Sequence, residues 1–229
     1  RRPVRMVVPY APGGGADTTA RLLAAPMSAA LGQTVVVENR GGAGGSIGAA
    51  EVARAAPDGH TVMLDALGHV ATPVLLRGLA FDYATAFAPI TQLTILPQIM
   101  VAHRAAPYAT LAEFVAHARA RPGQLTYGSS GNATAAHLAS VALLRRAGLD
   151  LNHAPYRGGG PALQDLLAGS LAFVFATVSS STQLVRAGTV KALGISTAAR
   201  IAALPEVPTI AEQGVPGFEL NEWNGFYAP

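Results

Sequence analysis

The chain has 229 residues, of which 50% are hydrophobic and 13% charged; that is enough for one large domain or two small ones around a sizeable core, and it excludes a disordered chain. No apolar run reaches the roughly 18 residues that a membrane-spanning helix needs, and the net charge of +3 lies on scattered arginines without interleaved aromatics, which argues against a nucleic-acid surface and mildly favours an anionic small molecule. The absence of cysteine removes disulfides, thiol nucleophiles and thiolate metal sites, and leaves the redox compartment open.

Residues 4–9 form a short valine-rich run that ends at a proline and reads as a buried strand. Gly13, Gly14 and Gly15 follow, and Asp17 then opens a segment in which Ala20, Leu23, Met27 and Leu31 share one helical face until Gly32 closes it. A strand, a glycine loop and a helix N-terminus together point unpaired backbone N–H groups and the positive end of a helix dipole outward, an arrangement suited to an anion. Phosphate fits poorly. The only lysine is Lys191, so no P-loop exists, and the dinucleotide glycine spacing fails from Gly13 (Thr18 at the last position) and from Gly42 (Ile47). Asp17 beside the loop would also repel a doubly charged phosphate more than a single carboxylate. The plainer alternative is a tight turn that lets strand and helix pack. Asp17 itself is expected to cap the helix that starts near residue 18.

A strand over 34–38, a glycine-rich turn at 41–45, a helix to about 55, a turn at 57–59 and a strand over 61–65 continue the alternation. Such a series predicts a parallel sheet covered on both faces. A second series starts near Gln98, with a strand over 99–102 and a capping box from Thr110 to Glu113 that opens a helix. A strand over 125–128 runs into a loop of small residues, and a helix starts near Thr134. Pro161 opens a helix closed by Gly169; strands over 171–176 and 190–196 flank a short helix, and 218–227 reads as extended. Neither repeats nor low-complexity tracts interrupt these two series.

In open α/β sheets, ligands sit beyond the carboxyl ends of the strands. If two lobes face each other, the loops 13–17 and 128–134 could grip one ligand from opposite sides, as in a hinged binding protein. Ser, Asn and Thr in 128–134 are equally explained as ordinary caps. The six histidines show no metal-ligand spacing, and Ser130 lacks the second glycine of a nucleophile elbow. His137 is expected to be a hydrogen-bonded packing residue. A Ser130–His137–Asp165 triad can be written down, but no spacing asks for it. Tyr156 and Arg157 precede three glycines, where an arginine could pair with a carboxylate or merely lie on the surface. Trp223 reads as a packing aromatic near the crossover between lobes.

With these residues in place the chain resembles the periplasmic solute-binding proteins of tripartite tricarboxylate transporters, the Bug family. The matching stretches are Pro12-Gly-Gly-Gly-Ala-Asp17 with Ala20-Arg21, Gly32-Gln-Thr-Val-Val-Val-Glu-Asn-Arg40, Gly42-Ala-Gly-Gly45, Pro57-Asp-Gly-His-Thr61, Phe87-Ala-Pro-Ile90 and Tyr127-Gly-Ser-Ser-Gly-Asn132. His153-Ala-Pro-Tyr-Arg-Gly158, Pro161-Ala-Leu-Gln-Asp-Leu166, Leu204-Pro-Glu-Val-Pro-Thr209 and Trp223-Asn-Gly-Phe-Tyr-Ala-Pro229 extend them over nearly the whole chain. The resemblance implies an α/β, two-lobed flytrap of the type II periplasmic-binding-protein kind, with lobe one formed by 1–99 plus 221–229 and an inserted lobe two over 100–220. Family members run several elements past the position of Pro229 and return to lobe one, so lobe one is expected to be incomplete.

The resemblance further implies a periplasmic, monomeric receptor without catalysis, cofactor, metal or nucleic-acid partner, which captures a small carboxylate-bearing solute for the membrane subunits of a transporter. Alternatives are an orphan sensor that signals to a membrane partner and an enzyme on a flytrap-like fold. The expected ligand contacts are Tyr10, Pro12, Gly13, Gly14, Gly15, Ala16 and Asp17 in lobe one, with Gly128, Ser129, Ser130, Asn132, Ala133, Thr134, Tyr156 and Thr177 in lobe two. The chain departs from the family in two places. Ala133 stands where relatives often have glycine, and Ala176-Thr177 stands where many have Asp-Asn. Loss of that carboxylate leans toward a more apolar or more anionic ligand than an amino acid.

Overall fold

The structure is a computed structural model that describes residues 2–229. Its first sheet has the order β2-β1-β3-β10-β4 and is built on β1 (Val4–Val8), β2 (Val35–Asn39), β3 (Thr61–Ala66), β4 (Ala88–Leu96) and β10 (Glu222–Ala228). The second has the order β7-β6-β8-β5-β9 and contains β5 (Gln98–His103), β6 (Thr126–Ser129), β7 (Asn152–Pro155), β8 (Phe173–Thr177) and β9 (Val190–Ile195). In each sheet three parallel strands are followed by an antiparallel one that arrives from the other lobe: β10 against β3 in the first, β5 against β8 in the second. Both sheets are therefore mixed, which corrects the expectation of a parallel first sheet. The chain leaves the first sheet through Pro97 and returns along residues 196–221, where Ser196 N–H donates to Gln98 O and Leu220 N–H to Ser196 O.

Period-2 alternation explains why each sheet is covered on both faces. Val4, Met6 and Val8 turn toward α1 (Gly15–Leu31) and pack with Ala20, while Val7 and Met63 turn to the opposite face and meet Ala49 and Val52 of α2 (Ser46–Ala53). In the second sheet Met100, Phe173 and Phe175 face α4 (Leu111–Arg119) and α5 (Ala135–Ala147). Ile99, Val101 and Val174 face the side covered by α6 (Gly159–Leu167) and α7 (Val178–Arg186). The expected capping box is present: Thr110 Oγ1 accepts from Glu113 N–H, and the Glu113 carboxylate accepts from Thr110 N–H.

Three elements go beyond the sequence expectation. α3 (Gly68–Leu75) carries Pro73, β4 shows mostly exposed side chains, and β7 has four residues ending in a proline. None has the apolar periodicity or length that identifies a buried element. α1 starts at Gly15 rather than near residue 18 and continues through Pro26.

Candidate functional site

Between the two lobes lies a cavity of about 40 Å³. Its first-lobe wall is formed by Tyr10, Gly14, Gly15, Ala16, Ala66, Glu222 and Asn224, and its second-lobe wall by Gln98, Ser130, Ala136, Gly159, Phe175, Ala176, Thr177 and Ser180. Four helices present their N-terminal turns here: α1 through Gly14–Ala16, α5 through Ala136, α6 through Gly159 and α7 through Thr177 and Ser180. First-turn N–H groups have no intrahelical partner and the dipoles add positive potential. Among the described residues no lysine or arginine lines the cavity, so these backbone groups and dipoles are the positive potential it offers.

Glycine is required where the lobes meet. A Cβ on Gly160 would overlap the Pro12 carbonyl oxygen, and one on Gly15 would come within 2.5 Å of the Thr177 side chain. Gly44 faces the Asn132 carbonyl in the same way, at 2.5 Å. Ala11 N–H donates to Arg157 O at 2.8 Å across the junction. Gly13 and Gly14 of the 13–17 loop lie against Gly160 and Gly159 in the first turn of α6, and Gly15 lies against Thr177 at the start of α7.

Of the expected contact residues, Tyr10, Gly14, Gly15, Ala16, Ser130 and Thr177 line the cavity. Asp17 does not cap α1, which corrects that expectation: Gly14 is the N-cap and Asp17 sits inside the first turn. Its carboxylate accepts from Gly13 N–H, from Arg21 Nε and from Asn39 Nδ2, each at 3.0 Å. Burial pushes its pKa up, but Arg21, the Gly13 amide and Asn39 together hold it below the ordinary value. Asp17 thereby rigidifies the loop. Pro12 and Gly13 lie at its exposed tip.

In the second lobe the hydroxyls of Ser129 and Thr134 are spent inside the protein. Ser129 Oγ sits 2.7 Å from His153 Nε2, and Thr134 Oγ1 donates to Gly131 O while capping α5 by accepting from His137 N–H. Both residues are buried, and they lie outside the cavity lining together with Gly128, Asn132, Ala133 and Tyr156. The Tyr156 hydroxyl donates to Asp165 at 2.6 Å, and burial followed by that carboxylate raises it to about 12. His137 accepts from Ala133 N–H and stacks on His153 at 4.4 Å, the packing role expected of it. Burial, and then His137, lower His153 to about 4. Ala133 has φ of 64°, the left-handed region that glycine occupies without strain.

The sequence reading missed two buried acids, Asp65 behind the cavity and Glu222 in its lining. Tyr10 Oη donates to Asp65 Oδ1 at 3.0 Å; Asp65 also accepts from Ala66 N–H and pairs with His69, whose ring stacks on Tyr227 at 3.9 Å. Beside it Glu222 is buried, and its Oε1 accepts from Leu67 N–H at 2.8 Å and Trp223 N–H at 3.2 Å. Burial raises the Glu222 carboxyl to about 7, against those two N–H donors and with help from Asp65. Asp65 was legible in principle, as a carboxylate near the carboxyl end of a buried strand in an α/β sheet. Glu222 was not, because its neighbours carry no motif. Among the described residues no cluster of side chains could hold a metal, and no helix is long and apolar enough to cross a membrane.

Two mixed α/β sheets joined by two crossings, with a cavity between them on which four helix N-termini converge, define a two-lobed binding protein of the type II class. Residues 19–229 match the family described as the tripartite tricarboxylate transporter family receptor, and the chain belongs to this family. A UPF0065 protein from the tcbD–tcbE intergenic region of Pseudomonas sp. (strain P51) is 41% identical over 229 residues, covering 100% of this chain and 68% of the relative. The periplasmic binding protein BugD superposes with a TM-score of 0.96 at 37% identity, over 100% of this chain and 77% of BugD. A Rhodopseudomonas palustris protein solved with adipate gives 0.96 at 36%, over 100% and 77%. MatC from the same organism, with bound malate, gives 0.94 at 37%, over 100% and 78%. The chain is a solute-binding receptor of this family, whose structural neighbours are binding proteins rather than enzymes.

Proposed function

We propose that this chain captures a small carboxylate-bearing solute in the periplasm and delivers it, as a monomer, to the membrane subunits of a tripartite tricarboxylate-type transporter. The observation that carries this reading is the convergence of four helix N-termini on one cavity that no basic side chain lines among the described residues. One carboxylate lies against the first-turn N–H groups of Gly14, Gly15 and Ala16, where the glycines let the main chain approach without an intervening Cβ. Ser130 and Thr177 contact it from the other lobe. The lobe limits that accompany the reading are 1–97 plus 221–229 and 98–220, two residues earlier at the first crossing than the expected 1–99 and 100–220, because β5 opens at Gln98 in the second sheet. A ligand that touches both lobes favours their apposition, since it binds that arrangement better than a separated one. The adipate and malate held by two relatives support a carboxylate of this size class.

The test is a thermal-shift and calorimetric screen against mono-, di- and tricarboxylates. A true ligand at about 100 times its dissociation constant adds about 2.7 kcal/mol of stability. A protein that answers to none of them, while binding a cationic or neutral solute, refutes the reading.

A further inference from the structure

Two side chains in the cavity wall have bonding capacity that the protein leaves unused. Gln98 opens β5 immediately after Pro97 and is 2% exposed, yet its Nε2 has no hydrogen-bond partner. Its backbone N–H is satisfied by Ser196 Oγ at 3.0 Å, so the main chain is anchored while the amide is not. A buried donor left without a partner is costly, which marks a position where a ligand acceptor belongs. Glu222 opens β10 on the opposite crossing. Both of its hydrogen bonds fall on Oε1, so Oε2 has no partner among the described residues. Both residues line the same cavity, each at the first residue of a strand that has just crossed from the other lobe.

Resting on the reading of the site as a carboxylate receptor, we propose that Gln98 and Glu222 form a second subsite that recognises a hydroxyl group on the solute, selecting hydroxycarboxylates over their unsubstituted and amino-substituted counterparts. A hydroxyl both accepts and donates. It can accept from Gln98 Nε2 and donate to Glu222 Oε2 at once. A methylene does neither and leaves Gln98 unpaired. An ammonium donates only, so it cannot satisfy the Gln98 N–H. The neighbouring charges agree with a neutral group. Asp65 is already occupied by Tyr10, His69 and the Ala66 amide.

The experiment compares solutes that differ by one hydroxyl: propionate with lactate, succinate with malate, and tricarballylate with citrate, with aspartate as the amino counterpart of malate. Calorimetry on the wild-type protein should show the hydroxylated member of the binding pair about tenfold tighter or better, the worth of one well-made hydrogen bond. Gln98→Leu and Glu222→Leu should each reduce that ratio toward unity. Equal affinity within the pair, a preference that survives both substitutions, or aspartate binding more tightly than malate overturns the subsite but leaves the carboxylate receptor standing. Silence of the wild-type protein toward every acid overturns both. Should either variant fail to fold, the wild-type ratios and the aspartate comparison still decide.

Discussion

The N–H of Ala11 in the first lobe donates to the carbonyl of Arg157 in the second, at 2.8 Å. This backbone bond lies beside the place where Gly160 packs against Pro12, and it shows that the lobes meet through main chain at this rim. Such a contact depends on the absence of side chains, so the glycines here are tied to apposition of the lobes and not only to the turns they make.

Gly160→Ala should therefore impair binding with little effect on folding. Its Cβ would overlap the Pro12 carbonyl oxygen, and the simplest relief is separation of the lobes. Carboxylate affinity should fall by about tenfold or more, the equivalent of ~1.4 kcal/mol, with a melting temperature close to wild type. Unchanged calorimetric affinity would show that the contact is not needed for binding.

Thr134→Ala should act on stability and not on the ligand. The Thr134 hydroxyl caps α5 and donates to Gly131 O, away from the cavity. Loss of such a cap costs about 1 kcal/mol, measurable by urea denaturation. A large drop in ligand affinity with unchanged stability would contradict this placement.

Glu222→Gln should become increasingly stabilising, relative to wild type, as pH rises. The Glu222 carboxyl is raised from 4.5 to about 7 in the folded protein. Between those values the folded state holds a proton that the unfolded chain releases, so wild-type stability declines as pH rises through this window. The full effect, present above about pH 7, is on the order of 3 kcal/mol. Melting curves from pH 5 to 8 should show the gap between the two proteins widening; a constant gap would mean that Glu222 is not buried as described.

His153 works in the opposite direction. Its pKa is lowered from 6.5 to about 4 by burial and by His137 stacked on it. As pH falls from about 6.5 toward 4, the unfolded chain takes up a proton that the folded protein refuses, and stability is lost. His153→Asn should flatten this acid limb, at some cost to stability at neutral pH through the lost contact with Ser129 Oγ. An acid limb as steep as in wild type would assign the loss to other groups.

Much of the architecture could be read locally. Alternation within β1 sent Met6 and Val7 to opposite faces, and Thr110 with Glu113 marked the start of α4, because both signals depend only on near neighbours. The glycine loop likewise marked, from its own residues, a corner of the cavity at Gly14 and Gly15. Side-chain direction was not legible. Ser129 and Thr134 have the composition of a ligand loop, but His153 and Gly131 claim their hydroxyls, and His153 is supplied by the neighbouring strand β7. Asp17 resembles a cap, yet Arg21 and Asn39 turn it into a brace for the loop. Gln98 and Glu222 stand far apart in sequence, and only the two strand crossings bring them to one cavity. Local periodicity thus determined the elements and one corner of the site. The polarity of the cavity was decided by long-range pairing, because a hydrogen-bonding group is free for a ligand only when tertiary neighbours have not already satisfied it.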